Sequence, residues 1–246
     1  MASTSNHLQP AAPLELGAFA TKWRWILIFG PLVYGIYRLI AMIAVPLSVG
    51  QFNLLPVALG YPIIVYYGPA LAFLWLMFIV HRRRWFRDIR FVGQVGRRDL
   101  LIGIATITLL YLIEAAVEYL MGQPREAKMA SLYQFKSAFQ IVVLVASLLV
   151  LPPIVEELAF RHFLLSTLPF RANRVVATIA IVATSLYFSY VHGYQYWTTN
   201  VTIFLVGVIF GFARIRSNGM LLPISLHTYT IAFALAMDQV MSRLVR

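Results

Sequence analysis

The chain of 246 residues contains no cysteine. A disulfide framework, a thiolate nucleophile and a cysteine-ligated metal are therefore excluded. Charge is also sparse, with Asp, Glu, Lys and Arg at 12% against 61% hydrophobic residues and a mean hydropathy of +0.78. About a quarter of a soluble domain is charged, so this composition excludes an ordinary water-soluble globule. Acidic residues are the scarcest charges, nine against 20 Lys and Arg. Internal repeats and inverted pairs of interrupted helices, which mark many secondary transporters, are missing as well.

What remains is apolar sequence in long runs. Crossing hydrocarbon takes about 20 such residues, and seven stretches qualify, near residues 25–46, 57–80, 100–121, 138–168, 175–192, 198–213 and 221–241. The expected fold is all-α, a polytopic transmembrane helical bundle of about seven spans. The net charge of +11 is not distributed as a nucleic-acid surface, because its densest run, HRRRWFRDIRFVGQVGRRD from His81 to Asp99, falls between two spans. Positive loops stay in the cytoplasm. This puts the N-terminus inside with Lys22 and Arg24, together with the turns holding Arg171, Arg174, Arg214 and Arg216, and the C-terminus outside. Arg125, Lys128, Lys136, Arg243 and Arg246 form the outer minority. The expected partners are the lipid bilayer, whose anionic headgroups the basic loop can touch, and no nucleic acid.

The first 24 residues are polar and Pro/Ala-rich, and they lack the basic start and short apolar core of a cleaved signal. They are expected to form a disordered cytoplasmic tail, with the first span as a retained anchor. Residues 25–246 would be a single membrane-embedded domain, 25–137 supplying scaffold spans and 138–246 the catalytic core spans. The compactness of the chain favours a bacterial inner membrane.

The intramembrane polar residues concentrate after Val150. In LPPIVEELAFRHFLL, Pro152 and Pro153 remove backbone donors, so a kink that admits water is expected just ahead of the glutamates. Glu157 and Arg161 are four apart on one helical face, the spacing of an ion pair, whether for packing or for function. Glu156 points about 100° away, and a second carboxylate is not needed for packing. His162 reads as an interfacial residue. His192 closes FSYVH beside Tyr194, Tyr196 and Trp197, which fits an interfacial aromatic belt, and His227 follows an Asn-Gly turn and Pro223. Taken singly, each histidine is compatible with a structural role. Together, one carboxylate and two imidazoles are what activation of water requires, and both histidines could ligate a metal ion. Glu114 and Glu118 lie four apart near the outer end of the third span, where interfacial solvation accounts for them.

EELAFR resembles the EExxxR motif, FSYVH the FxxxH motif, and SLHTYTI the His-containing third motif of the CPBP family, which includes CAAX endopeptidases and bacteriocin-processing or Abi-type intramembrane proteases. The likeness runs over residues 149–235. It implies an intramembrane endopeptidase acting on a membrane-proximal or lipidated peptide or protein. Glu156 would be the catalytic glutamate, Glu157 and Arg161 the adjacent carboxylate and its partner, and Phe188 a packing aromatic. His192 and His227 would assist the water. The family is described both as glutamic proteases and as metalloproteases, so a divalent ion such as zinc on His192 and His227 stays open, with no cofactor certain. The third motif usually carries Asn or Asp four residues after its histidine, attributed to the oxyanion, and Ile231 stands there instead. Thr230 is the first-choice replacement, followed by Thr228, Tyr229 and Asn200. Two alternatives share the scaffold: a non-catalytic membrane partner or immunity-type protein, favoured by Ile231, and a proton-coupled carrier using the same ionisable groups.

Helical rise places Glu156 about 18 Å from one end of its span and His192 about 26 Å from the same end of its own. The two must close that gap for a site to form. Reporter fusions test the topology: an alkaline phosphatase joined after Arg98 should be inactive, and one joined after Gln123 active. The reverse pattern would invert the charge-based orientation.

Overall fold

The computed structural model describes residues 26–50, 60–84, 90–168, 170 and 173–244. The expected tail over residues 1–24 lies outside the described residues, as do Arg171 and Arg246. In chain order the helices are α1 (Ile26–Gly50), α2 (Pro62–Arg84), α3 (Arg97–Leu120), the short α4 (Ala127–Ser131), α5 (Ala138–Glu157), α6 (Arg174–His192), α7 (Trp197–Ser217) and α8 (Leu221–Leu244). The fold is all-α, with no strand among the described residues. Six of the helices are long and apolar enough to cross a membrane, and α1 contributes a further apolar stretch, Phe29–Ala44. The protein is thus a multi-pass integral membrane protein, close to the expected seven spans.

Local chemistry sets the helix ends. Ser137 and Gln140 form a reciprocal capping box at the start of α5. The side chain of Asn173 accepts from the Val176 amide, 2.8 Å away, to start α6. Gly193 ends α6 at φ 55°, a left-handed conformation that costs glycine little. The segment after α2 folds back onto the α7–α8 turn, where Phe91 O accepts from Met220 N at 2.7 Å and Leu221 N at 3.1 Å.

The expected kink ahead of the glutamates is not where the helix departs from regularity. It runs as α-helix through Pro152 and Pro153 to Glu157 and only then widens into a π-helix over Leu158–Leu164, followed by a 3₁₀ turn over Leu165–Thr167. For Pro153 a neighbouring helix satisfies the carbonyl that it frees. Pro153 has no amide for the Leu149 carbonyl four residues back, and the Thr228 hydroxyl of α8 donates to that carbonyl at 3.0 Å. π-Segments recur at functional sites, and this one follows directly after the glutamate pair.

The π-segment is surrounded. Leu158, Ala159, Phe160, Arg161, His162 and Phe163 are all buried, because α1, α2, α6 and α7 pack round it. A helix enclosed on every side lies at the centre of its bundle. His162 is accordingly not interfacial, contrary to the expectation from sequence: it is fully buried, with Nε2 2.8 Å from His81 Nδ1 of α2. Arg214 is also fully buried rather than exposed in a cytoplasmic turn. Between α6 and α7 the close approach depends on Gly207 and Gly211, spaced as small-xxx-small. A Cβ at Gly207 would meet Ser185 Cβ at 3.1 Å, and one at Gly211 would meet Ile181 Cγ2 at 2.9 Å. One apolar cluster joins α1, α2 and the π-segment through Val33, Leu74, Phe78, Leu158 and Phe163. A second joins α3, α7 and α8 through Ile107, Val206, Phe210 and Leu226.

Thr228→Val keeps the shape of the side chain but strands the Leu149 carbonyl. It should cost about 1–3 kcal/mol, read as a lowered thermal unfolding transition in detergent. An unchanged transition would show that the prolines need no partner on α8.

Candidate active site

Glu156 and Glu157 leave the last turn of α5 in different directions, as their 100° offset requires. Glu157 points into the bundle and is fully buried. Its Oε2 lies 3.4 Å from Arg161 Nε, and its Oε1 is 3.0 Å from His227 Nδ1. Arg161 is itself almost completely buried and donates from Nη2 to Gly207 O at 3.0 Å. The guanidinium sits over the ring of Phe188 at 4.4 Å, with Phe210 at 5.3 Å and Phe160 at 5.7 Å. An arginine in hydrocarbon is expensive. Here the cost is offset by a carboxylate, a carbonyl and three π-faces.

Glu156 faces the other side. Tyr67 of α2 donates to its Oε1 at 2.5 Å. Its Oε2, buried and without a hydrogen bond to the protein, faces two imidazole nitrogens: His192 Nε2 at 3.7 Å and His227 Nε2 at 3.8 Å. The opposite nitrogen of each ring settles its tautomer. His192 Nδ1 is 2.7 Å from Phe188 O, which can only accept, so Nδ1 carries the proton. His227 Nδ1 likewise donates to Glu157 Oε1, whose carboxylate is paired with Arg161. In the neutral rings both Nε2 atoms therefore present lone pairs toward Glu156 Oε2. Three acceptors converge on one point, an arrangement that calls for a small proton donor or a cation between them.

The helical-rise mismatch between Glu156 and His192 disappears through side-chain direction. Side chains lean toward the N-terminus of their own helix, and the span that α5 begins continues through the π- and 3₁₀-segments to Thr167 before α6 returns from Arg174, so the two run in opposite directions. The two side chains therefore lean toward each other.

Phe188 packs as the motif implied, edge-on to Phe160 at 5.0 Å and against the His192 ring at 4.4 Å. The structure thus brings Glu156, Glu157, Arg161, His192, His227 and Phe188 together. Thr230 is buried nearby, with its hydroxyl donating to Leu226 O of its own helix at 2.9 Å. Thr228 is engaged by Leu149 O, the Tyr229 hydroxyl lies 2.5 Å from Thr108 Oγ1, and the Asn200 amide donates to the Tyr194 and Tyr196 carbonyls. Two contributors are not evident from the sequence motifs, Tyr67 and Phe210, which stacks on His227 at 4.8 Å. Tyr67 carries no spacing signal in YPIIVYYGPA, whereas the small-xxx-small pair at Gly207 and Gly211 does mark the helix face that holds Phe210.

A tetrahedral zinc with ligands at about 2.0–2.1 Å needs donors roughly 3.3 Å apart. The 3.7 and 3.8 Å separations are wider, and among the described residues no group of three His, Asp or Glu has metal-binding spacing. As placed, Glu156, His192 and His227 do not close round such an ion.

Arg161→Leu leaves Glu157 as an unpaired buried charge and should cost about 3–5 kcal/mol, seen as a collapsed or strongly lowered unfolding transition. Arg161→Lys should recover only part of it, since an ammonium neither forks nor stacks. Full recovery by Lys would reduce the pair to simple charge neutralisation.

Comparison with known proteins follows the same residues. Residues 138–233 match the family described as "Type II CAAX prenyl endopeptidase Rce1-like", a range that contains all three motifs. The chain is also 32% identical over 162 residues to the "Uncharacterized 24.3 kDa protein" of Escherichia coli, covering 65% of this chain and 74% of that one. No solved structure matches.

Proposed function

The chain belongs to the Rce1-like family of type II CAAX prenyl endopeptidases within the CPBP group, and from that membership we propose that it is an intramembrane endopeptidase whose nucleophile is a water activated by Glu156. The observation that carries this reading is the convergence of Glu156 Oε2, His192 Nε2 and His227 Nε2, with both histidines oriented from behind by Phe188 O and Glu157. A water at that point can direct one O–H at Glu156 Oε2, which takes that proton on attack, while the other O–H hydrogen-bonds to an imidazole Nε2 and stays on the oxygen.

In the first step the water oxygen bonds to the peptide carbonyl carbon, Glu156 takes the proton, and the carbonyl π-pair moves to oxygen. Protonated Glu156 no longer needs the Tyr67 hydroxyl, which lies 2.5 Å from its Oε1. Tyr67 can then turn its proton to the oxyanion, in the absence of the Asn or Asp that Ile231 replaces. Collapse restores the carbonyl and breaks the C–N bond, and the departing nitrogen receives the proton from Glu156. Glu156, Glu157, Arg161 and His227 are all buried, so these charges act in a lower dielectric than water. The substrate is a membrane-proximal or lipidated peptide or protein, in keeping with the family. We place the protein in a bacterial inner membrane, N-terminus inside.

A second reading, a non-catalytic membrane partner on the same scaffold, is favoured by Ile231 and by the prior engagement of Thr230, Thr228, Tyr229 and Asn200.

Glu156→Gln should abolish cleavage of a membrane-anchored reporter while the protein remains inserted and monodisperse. Full retained cleavage would remove the mechanism, and a biological function intact without Glu156 would favour the second reading. Tyr67→Phe should lower kcat roughly 10- to 100-fold, the worth of one hydrogen bond to a charged group, with little change in KM. The glutamate reading also expects no stoichiometric zinc in purified wild type. Zinc at one equivalent, lost in His192→Ala/His227→Ala, would overturn it in favour of a metalloprotease.

A further inference from the structure

Beside the catalytic cluster lies a cavity of about 1530 Å³, walled by α3, α5, α7 and α8 and by the connection carrying α4. We propose that this cavity is the vestibule through which a substrate segment reaches Glu156, and that it selects a segment bearing Lys or Arg beside the scissile bond. The inference rests on the protease reading above and names a substrate feature for it.

Size, position and charge each carry part of the argument. Sites for small molecules occupy about 300–1,000 Å³, so this volume suits a stretch of peptide. Position links it to the chemistry: Tyr194 lines the cavity and stacks on the His192 ring at 5.9 Å and 14°. Lys128 of α4 donates to the His192 carbonyl and covers the Tyr194 ring at 5.2 Å. The rim includes exposed Tyr119, Gly122 and Arg125.

Charge indicates the occupant. The chain has nine acidic residues and a net charge of +11, yet Glu114, Glu118, Glu126 and Asp238 all line this one cavity against a single guanidinium, Arg125. Arg125 is spent on Asp238 at 2.5 Å, leaving three carboxylates. Glu118 Oε1 accepts only from neutral donors, Gln123, Thr198 and Thr199. Glu126 Oε1 accepts from Gln195 N at 2.8 Å, while its Oε2 has no hydrogen bond to the protein. The same field reaches Tyr194, whose phenol is pushed up to about 12 by burial first and then by Glu156, Glu126 and Glu114. Carboxylates that line a peptide-sized cavity and accept only from neutral donors fit a cationic side chain. On this proposal Glu114 and Glu118, expected from sequence to be solvated at the interface, serve the entrance.

The test uses two fluorescently labelled synthetic peptides with the same short apolar core, one flanked by Lys and one by Asp. Binding to purified, detergent-solubilised Glu156→Gln protein is followed by anisotropy. The Lys peptide should bind at least roughly tenfold more tightly at low salt, with the ratio shrinking as ionic strength rises. Adding Glu118→Gln and Glu126→Gln, which preserve size and the accepting oxygens, should remove the preference without altering monodispersity or thermal unfolding. Equal binding of the two peptides, or a preference unchanged in the double substitution, would overturn the vestibule. Cleavage of the same peptides by wild type is read separately. No cleavage alongside a retained, carboxylate-dependent preference would overturn the protease reading instead.

Discussion

A carboxylate and a guanidinium buried together in a helix bundle constrain everything around them. Glu157 and Arg161 are both removed from water, and breaking such a pair is far more costly than never forming it. Neighbours supply most of what the pair then needs, though Arg161 Nη1 has no hydrogen bond. Gly207 gives Arg161 its carbonyl because a glycine lets the α7 backbone approach. Phe188, Phe160 and Phe210 give it π-faces, and His227 gives Glu157 a donor. Four segments are tied together by this one pair.

The same pair sets up the neighbouring chemistry. Because Glu157 holds His227 by Nδ1, the Nε2 of that ring must face Glu156, and the Phe188 carbonyl does the same for His192. The packing aromatic of the second motif therefore serves twice, its ring on the arginine and its carbonyl on the histidine. The π-helical segment supports this economy. Within it Arg161 and His162 are both buried and meet different neighbours, Arg161 on α6 and α7 and His162 on α2.

Charge is deployed in the same sparing way across the molecule. Two of nine acidic residues form the glutamate pair of the candidate site and four more line the adjoining cavity, while most of the basic residues lie near helix ends or outside the helices. A membrane protein can hold so few carboxylates only where cations, hydroxyls or water meet them, so their location is informative in a way that a surface glutamate on a soluble protein is not.

Composition and apolar run length were enough to specify an all-α membrane bundle, since hydrocarbon admits only segments that satisfy their own backbone. The motifs Glu156–Arg161, Phe188–His192 and His227 were legible for the same reason: a charge in an apolar run needs a cause. Three things were decided only by the tertiary structure. Tyr67 reaches Glu156 across 89 residues of sequence, and no periodicity records a contact between distant helices. The hydroxyl of Thr230 is a stand-in at Ile231 by spacing, and its bond to the Leu226 carbonyl of its own helix is a competition invisible in one dimension. His162 and Arg214 read as residues of a helix end and a turn, yet both are buried, because depth depends on which helices pack alongside, and that is a property of the assembled bundle rather than of any single span.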